Sequence, residues 1–119
     1  MRWSQGLGFM TVLQRPEVAG DPQERTIIEL TRLAGGFQDL WLSISRRNPV
    51  LLERPLTARP EDERTIGKHI MDVMDEMGAT CESYLDRELA AEEFKVRVRE
   101  LRSASRKLAA DIKKDDLGE

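Results

Sequence analysis

The stretch DPQERTIIELTRLAGGFQDLWLSISRRNP, residues 21–49, decides the fold class of this chain. Its apolar residues recur every three or four positions, which places them on one stripe of an α-helix. Gly35 and Gly36 lie in the middle of this pattern and indicate a bend or a close helix contact. The stripe consists of Ile27, Leu30, Ala34, Phe37, Trp41 and Ile44.

The ends of this first helix are marked in the sequence. Asp21 can accept hydrogen bonds from the free amides of a first turn, and Pro22 suits the first helical position. Glu24 completes a pattern like a capping box. Asn48-Pro49 ends the helix, because the residue before a proline disfavours the helical conformation. We therefore predict a first amphipathic helix over residues 21–48.

Two further helices are predicted by the same periodicity, over residues 60–87 and 90–114. Pro60 and the acids after it are typical of a helix start, and a second acidic start follows residue 90. One continuous helix across this break is the alternative. The apolar stripes are Ile66, Ile70, Val73, Met77, Cys81 and Tyr84 in the second helix, and Phe94, Val98, Leu101, Ser105, Leu108 and Ile112 in the third.

The remaining segments complete one domain over residues 1–119. Residues 1–20 form an apolar N-terminal arm that packs either on its own domain or on a partner, residues 49–59 a Pro-rich connector, and residues 115–119 a frayed tail. The expected fold class is all-α: a small bundle of three main amphipathic helices. Aromatic residues make up only 5% of the chain, which also argues against a β-sandwich.

Composition narrows the setting of the protein. The single cysteine, Cys81, cannot close an intramolecular disulfide, so the fold needs no oxidising compartment. No apolar run approaches the roughly 20 residues of a membrane-spanning helix, and the N-terminus lacks a convincing signal peptide. We therefore expect a cytoplasmic protein with no membrane partner.

Charge is unevenly divided along the chain. The formal net charge is -3, but residues 94–114 hold eight bases and two acids, while the acids concentrate in residues 61–93. The third helix can therefore neutralise the second. Five bases of the third helix share one face and are called the basic ridge here: Lys95, Arg99, Arg102, Arg106 and Lys113. The ridge is a solvated flank paired with acids such as Asp72 or Glu76, a surface for an acidic protein, or a phosphate-binding face.

Catalytic and metal-binding patterns are missing from the sequence. The only histidine, His69, and Cys81 are twelve residues apart, with no second Cys or His to complete a metal site. No glycine loop that cradles phosphates and no nucleophile elbow is present. We expect no enzyme activity, no catalytic residues, no metal and no cofactor.

Aromatic, methionine and arginine side chains are the candidates for binding a partner, with core packing as the alternative for the apolar ones. Methionine adapts its shape to protein surfaces, and small helical domains often expose part of their apolar stripes, which favours a homodimer. The candidates are Trp3, Phe9, Phe37, Trp41, Met74, Met77, Arg99 and Arg102.

The apolar arm, the helix containing GGFQDLWLSI (residues 35–44) and the basic last helix together resemble the QslA-type quorum-sensing anti-activators. The resemblance covers most of the chain and assigns no contact residues. It implies a dimeric helical protein that binds the ligand-binding domain of the receptor LasR and blocks the dimerisation that DNA binding requires.

The predicted function is that of a protein-binding regulator, an anti-activator that sequesters a transcription factor by occluding its dimerisation or ligand-binding-domain surface. One alternative is a nucleic-acid-binding protein that uses the third helix, which the acidic net charge disfavours. The other is a structural protein whose apolar stripes build an assembly.

Overall fold

A computed structural model of the chain describes residues 8–118, and these form an all-α bundle, as predicted. Trp3 lies outside the described residues. The α-helices are α1 (Phe9–Val12), α2 (Glu24–Arg47), α3 (Ile66–Leu85) and α4 (Ala91–Leu117), with short 3-10 helices at Pro16–Val18 and Pro49–Glu53. Helices α2, α3 and α4 correspond to the three predicted main helices. Between residues 8 and 118, extended pairing is limited to an isolated bridge between Pro55 and Thr65.

Helices α2 and α4 run parallel to each other. Glu29, near the start of α2, pairs with Arg102 in the middle of α4, and Arg47 at the end of α2 pairs with Asp116 at the end of α4 (2.9 Å). Both helices therefore run in the same direction along the long axis of the molecule, which measures 45 Å.

Helix α3 runs antiparallel to both and packs against each of them. At its C-terminal end the Tyr84 hydroxyl donates to Asp21, just before α2, at 2.6 Å, and the Tyr84 ring stacks on Phe94 of α4 at 4.5 Å. At its N-terminal end Gly67 lies against Trp41 of α2. Helix α3 is therefore covered by α2, α4 and α1, so it buries more of its surface than a helix that packs on a single neighbour.

The predicted apolar stripes form most of the core. All six stripe residues of α4 are buried, as are five of the six in α2 and in α3, with Trp41 and Tyr84 half-buried. Met74 and Met77 are 2% and 1% exposed. They fill the centre of the bundle because α3 is surrounded by other helices, so the structure corrects their assignment as partner-binding residues.

The start of α3 differs from the prediction by six residues. The helix begins at Ile66, where the Thr65 hydroxyl accepts from the Lys68 amide at 3.1 Å. Pro60 instead belongs to a loop that Arg59 fastens to α4 through Asp111, at 3.1 Å. A threonine cap at the loop's end therefore sets the helix start.

The end of α4 also differs, because the helix continues to Leu117. Asp115 accepts hydrogen bonds from the amide and the hydroxyl of Thr57, and Asp116 binds Arg47. These contacts hold the last turn in place, so the expectation of a frayed tail is wrong for residues 115–117.

Helices α3 and α4 are separate, as the predicted break requires. Arg87 adopts a left-handed conformation with a φ of 63°. Its amide donates to the Tyr84 carbonyl at 3.1 Å, and the Glu88 amide donates to the Ser83 carbonyl at 2.8 Å. This is a Schellman cap, in which glycine is the usual residue at the left-handed position.

The described part of the arm packs on its own domain. Phe9 and Val12 of α1 are 7% and 0% exposed, and α1 lies on α3 and α2. Gly78 of α3 permits this contact, because a Cβ atom there would lie 2.9 Å from the Phe9 amide nitrogen. Phe9 is thus a core residue, which corrects its assignment as a partner contact.

Candidate protein-binding groove

A groove opens between α2 and α4 on the side of the bundle away from α3. The two helices each pack on α3 but touch each other little, which leaves a space of about 560 Å³ that is open to solvent. We call it the α2–α4 groove. Its lining residues are Glu29, Arg32, Leu33, Phe37, Arg102, Ser105, Arg106 and Ala109.

The floor of the groove is apolar. Leu33 and Ala109 are half-buried and pack against the core, and Phe37 beneath them is 4% exposed. Ser105 is the polar residue of the floor, but its hydroxyl donates to the carbonyl of Arg102 in its own helix at 3.0 Å. The donor of the Ser105 hydroxyl is therefore used within α4, and the floor offers mainly apolar surface.

The rim of the groove is basic. It carries three arginines, Arg32, Arg102 and Arg106, and one glutamate, Glu29. Glu29 binds Arg102 across the space between the helices. Among residues 8–118, no carboxylate forms an ion pair with Arg32 or Arg106, and both side chains are exposed. Two guanidinium groups of the rim are thus available to an incoming anion.

The basic ridge forms part of one wall of this groove. Arg102 binds Glu29, and Lys95 binds Glu92 of its own helix at 3.3 Å. The predicted pairing of the ridge with Asp72 is wrong, because Asp72 binds Arg64 at 2.7 Å and Lys68 at 2.8 Å. Asp72 finds its bases close by in the sequence, and three of the five bases of the ridge, Arg99, Arg106 and Lys113, form no ion pair among residues 8–118.

Of the predicted partner-binding residues, the structure brings two together at this site. Phe37 and Arg102 both line the groove. Arg99 is exposed on the same ridge, one turn earlier in α4. Trp41 is half-buried at the other end of α2, where its indole lies against Gly67. It packs within the domain and is not part of the groove.

Sequence reasoning missed the α2 side of the groove. Leu33 is not one of the six stripe residues of the first predicted helix, and Arg32 beside it carried no signal. Ala109 follows Ser105 by four residues on α4, so the two share a face. The available signal was that two small residues, Ser105 and Ala109, share a face of α4 next to Arg106. This pattern indicates a groove only when the helix that lies opposite is known.

His69 and Cys81 do not meet. Both are buried in α3, and twelve helical residues separate them by about 18 Å along the axis. Burial raises the pKa of the Cys81 thiol to about 12, which keeps it protonated. His69 Nε2 has no hydrogen-bond partner, and burial lowers the pKa of this imidazole.

Neither residue belongs to a metal-binding cluster. In the described portion of the chain, no three His, Cys, Asp or Glu side chains converge in a way that could hold an ion. The helices within residues 8–118 also lack the combination of length and apolar character that crossing a membrane requires.

Comparison with known proteins identifies no relative. Protein-family models, curated proteins and solved structures were all searched with this chain, and none of the three searches gives a match.

Proposed function

We propose that this protein is a protein-binding regulator and that the α2–α4 groove is its binding surface. The observation that carries the proposal is an apolar floor bordered by three arginines, of which Arg32 and Arg106 have no ion pair in the described chain. Burial of apolar side chains supplies most of the affinity in such interfaces, while charges at the rim set orientation and encounter rate.

The finer proposal is an anti-activator that sequesters a transcription factor by covering its dimerisation or ligand-binding-domain surface. It is supported by the resemblance of the sequence to QslA-type quorum-sensing anti-activators. A cytoplasmic location is part of this proposal. Binding, not catalysis, is the proposed activity, since the one thiol is buried and protonated.

We also propose that the protein acts as a homodimer, with the second copy bound outside the groove. Met10 and Leu13 of the N-terminal segment are 51% and 47% exposed and lie three residues apart, so they offer adjacent apolar surface to a second copy. They lie on a different element from the groove, so a dimer through this segment leaves the groove free. Light scattering over a range of concentrations tests for a closed dimer.

Nucleic acid binding is the second candidate function. It is favoured by Arg99, Arg106 and Lys113, which form no ion pair among the described residues. Phosphate contacts would make the binding fall steeply with salt. An apolar floor has no role in binding phosphates, which is why the protein-binding proposal is preferred.

A pull-down from native lysate with paired variants tests the proposal. Arg106→Glu reverses a charge on the rim, and Lys107→Glu makes the same change on the next residue, which is exposed but does not line the groove. We expect wild type and Lys107→Glu to recover the same transcription factor and Arg106→Glu to lose it. Equal recovery by the wild type and both variants would contradict the groove as the binding surface, and recovery of nucleic acid alone would favour the second candidate.

A further inference from the structure

We infer that the α2–α4 groove binds an amphipathic helix whose apolar stripe is flanked by acidic residues, and that Glu29 occupies one of the receiving arginines until that helix arrives. This inference rests on the proposed function and specifies the partner of the same site. Three properties of the groove lead to it: the nature of its walls, its excess of arginines and the exposure of the Glu29–Arg102 pair.

The walls of the groove favour a helical occupant. Both walls are the middles of long α-helices, whose backbone amides and carbonyls are already hydrogen-bonded within the helix. An extended peptide would find no sheet edge to pair with and would leave its own backbone groups unsatisfied on the apolar floor. A helix brings its backbone hydrogen bonds with it.

The length of the groove matches two helical turns. From Glu29 to Phe37 the α2 wall spans about 12 Å, at the rise of 1.5 Å per residue. A partner helix places apolar side chains at i, i+4 and i+7 along this distance, which is the pattern used by helices that bind in grooves. Leu33 and Ala109, above the buried Phe37, then receive that stripe.

The rim selects for acidic flanks on the partner. Arg32 stands on one wall and Arg106 on the other, so a helix between them meets a guanidinium on both sides. Carboxylates form strong, often bidentate hydrogen bonds with arginine. Acidic residues on both flanks of the partner's apolar stripe satisfy this arrangement.

The same rim disfavours two other occupants. A second copy of this chain, docked groove to groove in a symmetric dimer, would bring identical arginine-rich rims together. A single-stranded nucleic acid needs exposed aromatic faces for its bases, but Phe37 is 4% exposed and lies beneath the floor. The charge of the groove complements an acidic protein segment better than either.

Glu29 is a competitor for the partner's carboxylates. The Glu29 and Arg102 side chains are 49% and 37% exposed, so their pair contributes little to stability and exchanges readily. When a partner carboxylate takes its place on Arg102, Glu29 remains nearby as a like charge. Removing the charge of Glu29 should therefore strengthen binding.

The test is selection from a display library against the full-length protein. The library contains 18-residue helical peptides with a fixed leucine stripe at i, i+4 and i+7, and each flanking position is Glu, Gln or Lys. We expect enriched peptides to carry Glu on both flanks. Their affinity should fall about tenfold in Arg106→Glu, stay unchanged in Lys107→Glu, and rise about two- to fivefold in Glu29→Gln.

Several results would overturn the inference. Enrichment of Lys or Gln flanks, or no enrichment above background, excludes an acidic helix as the occupant. Unchanged or weaker binding in Glu29→Gln refutes the competition. Chemical-shift changes that avoid Leu33 and Ala109 place the peptide on another surface. Circular dichroism of each variant verifies that the fold is intact.

The outcome is separable from that of the lysate experiment. If the library fails while the lysate still yields a partner that depends on Arg106, the groove binds protein but not an acidic helix. If the lysate recovery is independent of Arg106 and the library succeeds, the groove binds such helices but is not the site of the regulated partner. Failure of both removes the groove as a protein-binding site.

Discussion

Replacing Gly78 with alanine tests how the N-terminal segment is held on the bundle. In most helices this change stabilises, because alanine favours the helical conformation over glycine by about 1 kcal/mol. Here the new Cβ would lie 2.9 Å from the amide nitrogen and 3.2 Å from the Cα of Phe9. The neighbour is backbone, so no side-chain rotation relieves the clash, and α1 must move.

The cost of that movement exceeds the gain in helix propensity. Overpacking a tight contact costs about 1–3 kcal/mol when the structure adjusts locally. If α1 separates from α3, the burial of Phe9 and Val12 is lost as well, at about 1.5–3 kcal/mol for each side chain. The new Cβ would meet backbone, so the cost lies in the upper part of the overpacking range, at about 2–3 kcal/mol. After subtracting the propensity gain of about 1 kcal/mol, we expect Gly78→Ala to lower the free energy of unfolding by about 1–2 kcal/mol, and by more if α1 separates from α3.

Gly36→Ala is the matched control. Gly36 also lies within a long helix, and a Cβ atom there meets no other atom within 4 Å. The same substitution should therefore raise stability by about 1 kcal/mol, which corresponds to a rise in Tm of about 4 °C. Urea and thermal unfolding measure both variants, and hydrogen exchange reports whether α1 has opened. A Gly78→Ala protein as stable as wild type would refute the close contact between α1 and α3.

Three further changes test local features of the fold. Burial lowers the pKa of His69, so as the pH falls the unfolded chain binds a proton before the folded protein does. The free energy of unfolding should therefore decline below about pH 6.5, the ordinary pKa of histidine. His69→Leu should flatten this decline in urea titrations between about pH 7 and about 5. Arg87→Gly should raise the free energy of unfolding by about 1 kcal/mol by relieving the left-handed conformation, and a lower Tm would contradict the Schellman cap. Thr65→Ala should cost about 1 kcal/mol and Thr65→Ser almost nothing, so an equal loss in both would mean that the hydroxyl bond to the Lys68 amide does not matter.

The helices could be predicted from the sequence because their cause is local. The spacing of apolar residues is a property of neighbouring turns, and the stripe of α4 from Phe94 to Ile112 is buried throughout. The start of α3 was harder, because Pro60 and the acids after it also suit a helix start. The Thr65 cap sets the start at Ile66, and the ion pair from Arg59 to the distant Asp111 holds Pro60 in the loop before it.

The groove could not be predicted because it depends on which helices become neighbours. Glu29 and Arg102 are 73 residues apart, and Arg47 and Asp116 are 69 apart. Phe37 and Arg102 were candidates for unrelated reasons, an aromatic stripe and a basic ridge. Only the parallel arrangement of α2 and α4 makes them two parts of one surface.

The division of charge in the sequence has a different meaning in the folded protein. The sequence suggested that the basic α4 neutralises the acidic α3. In the structure, Arg15 of the N-terminal segment binds Glu82 at 2.9 Å and Asp86 at 2.8 Å.

The other end of α3 behaves in the same way, because Arg64 of the loop binds Asp72. The N-terminal segment at one end of α3 and the loop before it at the other thus supply the bases for these three acids. Arg106 of α4 and Arg32 of α2 are left to face solvent beside an apolar floor, and this combination of unneutralised charge and partly covered apolar surface is what an acidic protein partner requires.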